Sequence, residues 1–469
     1  MNLTNESHPD SRSLNDKIKA LIGLSKKIGE TNSSKGLRLL KPCYLLSKSD
    51  KGATNNQFSF FMANPTNVVN INNKEGLAVW HSQLSCPPSS NAISASTSRN
   101  EIPFHSGWVG VYAYPGITPQ KNSSKQPQTN SNLAEFNYYP WVICLAHNTG
   151  EFHLLGKPDP NAKLAFESLQ ETPKSQLEPA KSTTKDKDSR NSFQAEKFIS
   201  SWSKVDYKNA FNRVQAYLEA GDCYQVNLTH PHKAKYQGYA LDTLLPLHTS
   251  LNPSFGCYFE GQDFELISVS PERLLNIDTH GKLEAKPIKG TIKRSSVLEK
   301  DQQLIKELIN SDKNQAENLM IVDLLRNDLS RSAEPNSVKV DKLFELETHP
   351  NVHHLVSTIS GQLKTSLYPA QAIENAFPGG SITGAPKKRA MEIIEELEVQ
   401  PRSLYCGSFG YYSDTGNTDF NILIRSLEFR DGEITCWGGG GITIESDCDE
   451  EYEESLTKIR RIMETVEKT

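Results

Sequence analysis

Residues 408–437 read SFGYYSDTGNTDFNILIRSLEFRDGEITCW. Three apolar runs, 408–412, 420–429 and 433–437, are separated by turn-forming residues, and the Asp431-Gly432 pair before the last run is a hairpin signal. This stretch predicts a meander of strands. Upstream, residues 207–220 carry apolar side chains at helical spacing and stop at Gly221, and residues 223–228 alternate as a strand. Residues 256–259 and 264–269 flank a Gly-Gln turn, and earlier runs at 58–62, 107–113 and 139–146 predict a β-rich N-terminal region. Helices interspersed with these strands predict an α+β or layered α/β fold.

The bulk properties narrow the function classes. A chain of 469 residues is long enough for two or three average domains or one large layered fold. A net charge of −5 and a pI near 6.2, with no basic stripe, argue against a nucleic-acid partner. The first fifteen residues lack an apolar core, and no run of 18 apolar residues occurs, so no membrane span is expected and the protein is placed in the cytoplasm. Eight cysteines without a Cys-x-x-Cys pair fit reduced thiols. Residues 118–132 and 171–191 are too polar to offset their ordering entropy and read as surface loops or linker.

Four groups of residues could carry chemistry. Glu317 lies in a helical stretch over 312–329, and Glu451 and Glu454 stand three apart in a C-terminal helix expected to be capped by Ser446. Carboxylates from two helices suit Mg²⁺, a hard cation that takes one or two of them together with waters and an anionic substrate. Residues 378–386, PGGSITGAP, run directly into a helix with Pro386 suited to its first turn, so free N–H groups and the Thr383 hydroxyl could hold an anion. The glycines 438–441 offer a second backbone cradle without the dinucleotide fingerprint. Glu272, His354, Tyr411 and Arg425 close apolar runs and supply groups for proton transfer and anion recognition. Lys289, between Ile288 and Gly290, could act as a nucleophile if burial or the nearby cations Lys286, Lys293 and Arg294 deprotonate it. On local chemistry alone it is one cation among 51 lysines and arginines.

Six ordered motifs change that standing: 221–228 (GDCYQVNL), 270–273 (SPER), 287–291 (PIKGT), 317–324 (ENLMIVDL) with Arg326-Asn327-Asp328, 352–358 (VHHLVST) and the 378–386 loop. Between about Asp206 and Met463 the chain resembles the chorismate-utilising enzymes, and among them the component I group of the aminodeoxychorismate synthases. The resemblance implies two interleaved β-sheets with surrounding helices. It implies Mg²⁺ held by residues matching Glu317 and Glu454 with Glu451 alongside. Chorismate is expected near Thr383, Arg425, Tyr411 and the Gly439, Gly440 and Gly441 backbone, with His354 by the ring. Glu272 matches the family acid and Lys289 the nucleophile that attacks C2 of chorismate, so that ammonia enters at C4.

Two alternatives accompany this reading. Anthranilate synthase component I, which resembles the chain throughout this region, aminates C2 and has alanine where Lys289 stands, and a non-catalytic chorismate-binding subunit would not need Glu272, Lys289, Glu317 and Glu454. Gln225 occupies the position at which isochorismate and salicylate synthases of the family carry a lysine. A tryptophan pocket like those of the family would involve Leu46 and Ser47 with Asn252, Pro253 and Ser254, although the second segment lacks the family's second proline. The expected organisation is an N-terminal region over 1–170, a linker over 171–200 and a catalytic domain over 201–466, the first contributing to the same body as the last. No glutamine amidotransferase motif precedes the end at Thr469, so ammonia is expected from a separate glutaminase subunit.

Overall fold

The computed structural model describes residues 11–24, 41–47, 58–84, 102–114, 133–170, 192–348 and 352–469. The two polar stretches 118–132 and 171–191 lie outside the described residues.

Alternating and continuous apolar runs build two antiparallel sheets. The main path of the twelve-stranded sheet runs Gly384–Ala385, Gln225–Gln237, Glu433–Ile442, Ser426–Arg430, Glu265–Ser270, Phe255–Glu260, Cys43–Leu46, Phe58–Met62, Trp141–Ala146 and Phe152–Gly156. That of the ten-stranded sheet runs Ile288–Lys293, Val352–Gln362, Lys282–Ala285, Arg273–Ile277, Thr418–Asn421, Ser408–Ser413, Gly107–Tyr112, Ala134–Tyr139 and Asn67–Ile71. Strands from before residue 160 therefore sit inside both sheets. Cys43–Leu46 pairs with Phe255–Glu260, and Gly107–Tyr112 pairs with Ser408–Ser413.

The faces of the two sheets meet over a core that draws on both, including Phe60, Cys144, Phe259 and Leu266 from one and Val109, Tyr139 and Phe409 from the other. Outer faces are covered by helices. Asp312–Ser332 and Pro369–Ala376 pack on the ten-stranded sheet through Ile321, Val322, Leu325 and Ile373. The last helix, Cys448–Glu467, packs on the other sheet through Ile459, Ile462 and Val466. The result is four layers, helix–sheet–sheet–helix, each face buried once.

The structure corrects three expectations. The run 420–429 is two strands rather than one: Thr418–Asn421 belongs to the ten-stranded sheet and Ser426–Arg430 to the other. The break falls where Arg425 adopts φ +54°, a left-handed conformation that ends pairing. The last helix is capped by Asp447, whose carboxylate accepts the N–H groups of Asp449 and Glu450, and Ser446 turns its hydroxyl to Glu451 instead. Of the expected linker, Gln194–Ala195 and Ile199–Ser200 are short strands paired to the long strand Gln225–Gln237.

Candidate active site

Two of the chain's crossings between the sheets lie side by side. Ser270-Pro271-Glu272-Arg273 leaves the twelve-stranded sheet for the ten-stranded one, and residues 422–425 return. The crossings are bonded together. Ile422 N–H donates to Glu272 O at 3.0 Å, Ser270 Oγ donates to Ile422 O at 2.6 Å, and Val269 N–H donates to Arg425 O at 3.0 Å. Glu272 and Arg425 are thus held on the same backbone junction.

Electrostatics bring in the rest. Burial pushes the Glu272 carboxyl above the usual glutamate range; the Ser381 hydroxyl and the charges of Lys289, Arg425 and Lys458 pull it part of the way back. Burial depresses Arg425, and Glu272 opposes that shift. The net upward shift favours the protonated form of Glu272, the direction that proton donation requires. Of the cations expected to surround Lys289, Lys286 is paired with Glu284 at 3.8 Å and Arg294 with Asp301 at 3.2 Å. Lys293 is exposed. Gly290, at φ +87°, lets the strand carrying Lys289 bulge close to the Asn314 side chain.

The glycine run forms an open edge. Asn227 donates its N–H to Thr383 O at 2.9 Å, and its carbonyl accepts Arg402 Nη2 at 2.7 Å, so its backbone groups point away from the glycine strand. Because bonded and non-bonded pairs alternate in an antiparallel ladder, its partner Gly441 and likewise Gly439 turn their backbone groups to the other side. On the glycine strand, Ser426–Arg430 pairs with residues 433–436 and no further, so that among the described residues this edge is open beyond Trp437. A side chain at Gly440 would meet Glu451 Oε2 at 3.0 Å and Lys458 Nζ at 3.5 Å; one at Gly441 would meet Gln225 Nε2 at 2.8 Å. The glycines leave a backbone cradle between Gln225 and the last helix, suited to an anion.

Glu451, Glu454 and Lys458 lie on one side of that helix. Glu451 is buried and accepts Ser446 Oγ at 2.7 Å, whereas Glu454 is exposed and paired with Lys458 Nζ at 2.8 Å. Lys458 also donates to Gly439 O at 3.2 Å. Glu317 stands half-buried on the helix Asp312–Ser332, beside Asn318, whose amide is fixed by Ser357 Oγ at 2.7 Å. These hard oxygens suit Mg²⁺ in kind, and the space left by Gly440 lies against one of them. Among the described residues, no three His, Cys, Asp or Glu side chains form a ready ligand cluster.

Thr383 is fully buried, and its hydroxyl lies within bonding distance of Gly379 O (3.0 Å) and Gly380 O (3.3 Å). Its donor is spent inside the loop rather than directed at a ligand. Pro386 is the N-cap of Lys387–Leu397 rather than its first helical residue. His354 Nδ1 lies 2.7 Å from Thr291 Oγ1, two residues along the strand from Lys289. Its neighbour His353 faces the opposite way, toward Asp301 at 3.2 Å.

Tyr411 is not gathered with Glu272. It packs on Phe104, with ring centroids 5.0 Å apart, and lines a separate cavity of about 60 Å³ with Leu46, Ser47, Ser254 and Phe255. Of the five residues expected to form the tryptophan pocket, Leu46, Ser47 and Ser254 line that cavity, and Asn252 and Pro253 do not. Asn252 caps the preceding helix at φ +50°, and Pro253 lies over Gly256. Another phenol, Tyr405, stacks on Trp437 at the head of the glycine run, with rings 5.6 Å apart. Lys458 and Ser381 are site residues that sequence reading missed. Lys458, four residues after Glu454, has the spacing of a surface ion pair, and Ser381 is masked by the glycines around it.

A family model described as chorismate binding enzyme matches residues 41–464. Aminodeoxychorismate synthase component 1 of Klebsiella aerogenes is 38% identical over 368 residues, 78% of each chain. The Escherichia coli protein of that name is 38% identical over 374 residues, 79% of each. In fold, the chain is similar to anthranilate synthase component I from Streptococcus pneumoniae, with a TM-score of 0.69, 24% identity, and coverage of 89% of this chain and 94% of that one. With the matched region reaching from the first described strand to the last helix, and the crossover, glycine edge and acidic helix all inside it, the chain belongs to the family of chorismate-binding enzymes.

Proposed function

We propose that this enzyme aminates chorismate at C4, giving 4-amino-4-deoxychorismate for 4-aminobenzoate and folate synthesis, with ammonia delivered by a separate glutaminase subunit. The observation that carries the reading is Lys289 within electrostatic reach of Glu272 at the junction of the two sheets. The names of these relatives point the same way.

The chemistry follows from the groups present. The C4 hydroxyl of chorismate is a poor leaving group and needs a proton, which Glu272 donates as the bond breaks. The Lys289 amine attacks ring carbon C2, the ring double bond shifts, and the hydroxyl departs as water. Ammonia then attacks C4, the double bond shifts back, the lysine leaves as a free amine, and the proton shed by the new C4 ammonium returns to Glu272. The net change is replacement of hydroxyl by amine, with water released. Arg425 and the open amides of Gly439 and Gly441 would hold the carboxylates. Glu317, Glu451 and Glu454 would hold Mg²⁺, which supplies positive charge for the ring carboxylate when bound.

Purified protein given chorismate, Mg²⁺ and ammonium should form 4-amino-4-deoxychorismate, which a 4-amino-4-deoxychorismate lyase converts to 4-aminobenzoate. Fluorescent anthranilate appearing without any lyase would refute the C4 assignment.

A further inference from the structure

The long strand, the glycine strand and the last helix meet at one point that the reaction itself does not use. His230 is fully buried in the strand Gln225–Gln237 and lies opposite Gly438 in register. A side chain at Gly438 would meet Ser455 O at 2.8 Å, so the helix backbone lies directly on the strand there. His230 Nε2 is 2.9 Å from Ser455 Oγ, and Ser455 is also fully buried.

The direction of that bond follows from counting protons. The Ser455 hydroxyl has one hydrogen and donates it to Tyr452 O at 2.7 Å. It can only accept from His230, which must therefore carry its proton on Nε2. His230 Nδ1, left unprotonated, has no partner. Burial first, and the neighbouring His232 second, push the His230 imidazole down to about 3, keeping the ring neutral over the working pH range. Aromatic neighbours fix its plane: Tyr452 is stacked at 5.5 Å, and Tyr207 meets it edge-on at 5.3 Å.

We propose that His230 is a positioning residue, whose Nε2–H bond to Ser455 sets the last helix so that Glu451, Glu454 and Lys458 face the open glycine edge. Ser455 follows Glu454 directly, lies one turn after Glu451 and precedes Lys458 by three residues, so the bond pins the turn that carries all three. Glu454 and Lys458 are 60% and 36% exposed and brace one another, so the buried bond beneath them provides rigidity that their mutual ion pair does not. The inference rests on the proposed roles of these side chains toward Mg²⁺ and chorismate.

Three variants test it. His230→Gln keeps an amide donor near the Nε2 position, His230→Phe keeps ring volume without a donor, and Ser455→Ala removes the acceptor. Chorismate and Mg²⁺ binding are measured by calorimetry, with kcat, KM and thermal unfolding alongside. His230→Phe and Ser455→Ala should weaken Mg²⁺ binding and raise the chorismate KM about tenfold, with kcat at saturation changed less than about twofold; His230→Gln should stay within about twofold of wild type. Wild-type binding in either folded donor or acceptor variant, or a Gln variant as weak as Phe, would overturn the proposal. If His230→Phe fails to fold, Ser455→Ala decides alone. Failure of the C4 reading would instead show in the wild type, as chorismate bound without 4-amino product, and the comparison among variants would still judge the pin.

Discussion

A glutamate that donates a proton near neutral pH must first keep one, and burial raises the pKa of Glu272 in the required direction. The same shift has a consequence for folding. With the folded pKa above the unfolded value, stability is fully present below the unfolded pKa and is lost as pH rises through the folded one. Glu272→Gln should therefore unfold at a higher temperature than wild type at pH 8 and show no such gain at pH 4, while kcat falls by about 10²–10⁴-fold. A scanning-calorimetry series over pH, paired with product assays, checks both signs. Glu272 and Lys289 were legible in the sequence only through their place in ordered motifs, since neither Pro271-Glu272 nor Ile288-Lys289 has a local signature. Tyr411 shows the limit of that approach. It ends an apolar run as a ligand residue could, but its position on the strand Ser408–Ser413 turns it into the separate cavity with Ser47 and Ser254. Which way a strand residue faces depends on register, and register is set by partners remote in sequence.

At the scale of elements, the glycine strand separates binding from stability residue by residue. At Gly440 an added methyl meets only the flexible ends of Glu451 and Lys458, whereas at Gly438 it meets the backbone of Ser455. Gly440→Ala should raise the chorismate KM several-fold and leave thermal unfolding nearly unchanged. Gly438→Ala should cost about 1–3 kcal/mol of stability by overpacking the helix against the strand. Equal losses of stability in denaturant titrations of the two variants would contradict this division. The elements themselves were largely readable: the helix Lys204–Glu219 starts at a Ser203–Asp206 capping box and ends before Gly221 at φ +75°. The sheet change inside 420–429 was not readable, because apolar residues continue through residues 422–424 and only the left-handed Arg425 marks the break. The open edge of Gly439 and Gly441 depends on the backbone bonds of Asn227, which no local pattern encodes.

For the whole molecule, the interleaving of early and late strands means that the described strands between Cys43 and Gly156 are structural partners of the site rather than an appendage. Removing them would strip Phe255–Glu260 and Ser408–Ser413 of their neighbours and expose the core between the sheets. A fragment beginning at residue 192 should accordingly lack a cooperative thermal transition, and the intact chain should unfold its two sheets together. A fragment with a sharp transition of its own would contradict that. The layered class of the fold could be read from alternating helix and strand signals, but the partition of strands between sheets could not, since pairings such as Tyr44 with Tyr258 span the chain. The same long-range architecture brings Glu272, Arg425 and Lys289 together, and the account stands or falls on what Lys289 does there. Intact-protein mass spectrometry after incubation with chorismate and Mg²⁺, without ammonia, addresses it most directly. The account predicts a mass increase equal to chorismate less one water, mapped to Lys289 and lost in Lys289→Ala along with formation of the 4-amino product. Unmodified Lys289 under those conditions, with a Lys289→Ala variant that still turns over chorismate at the wild-type rate, would contradict it.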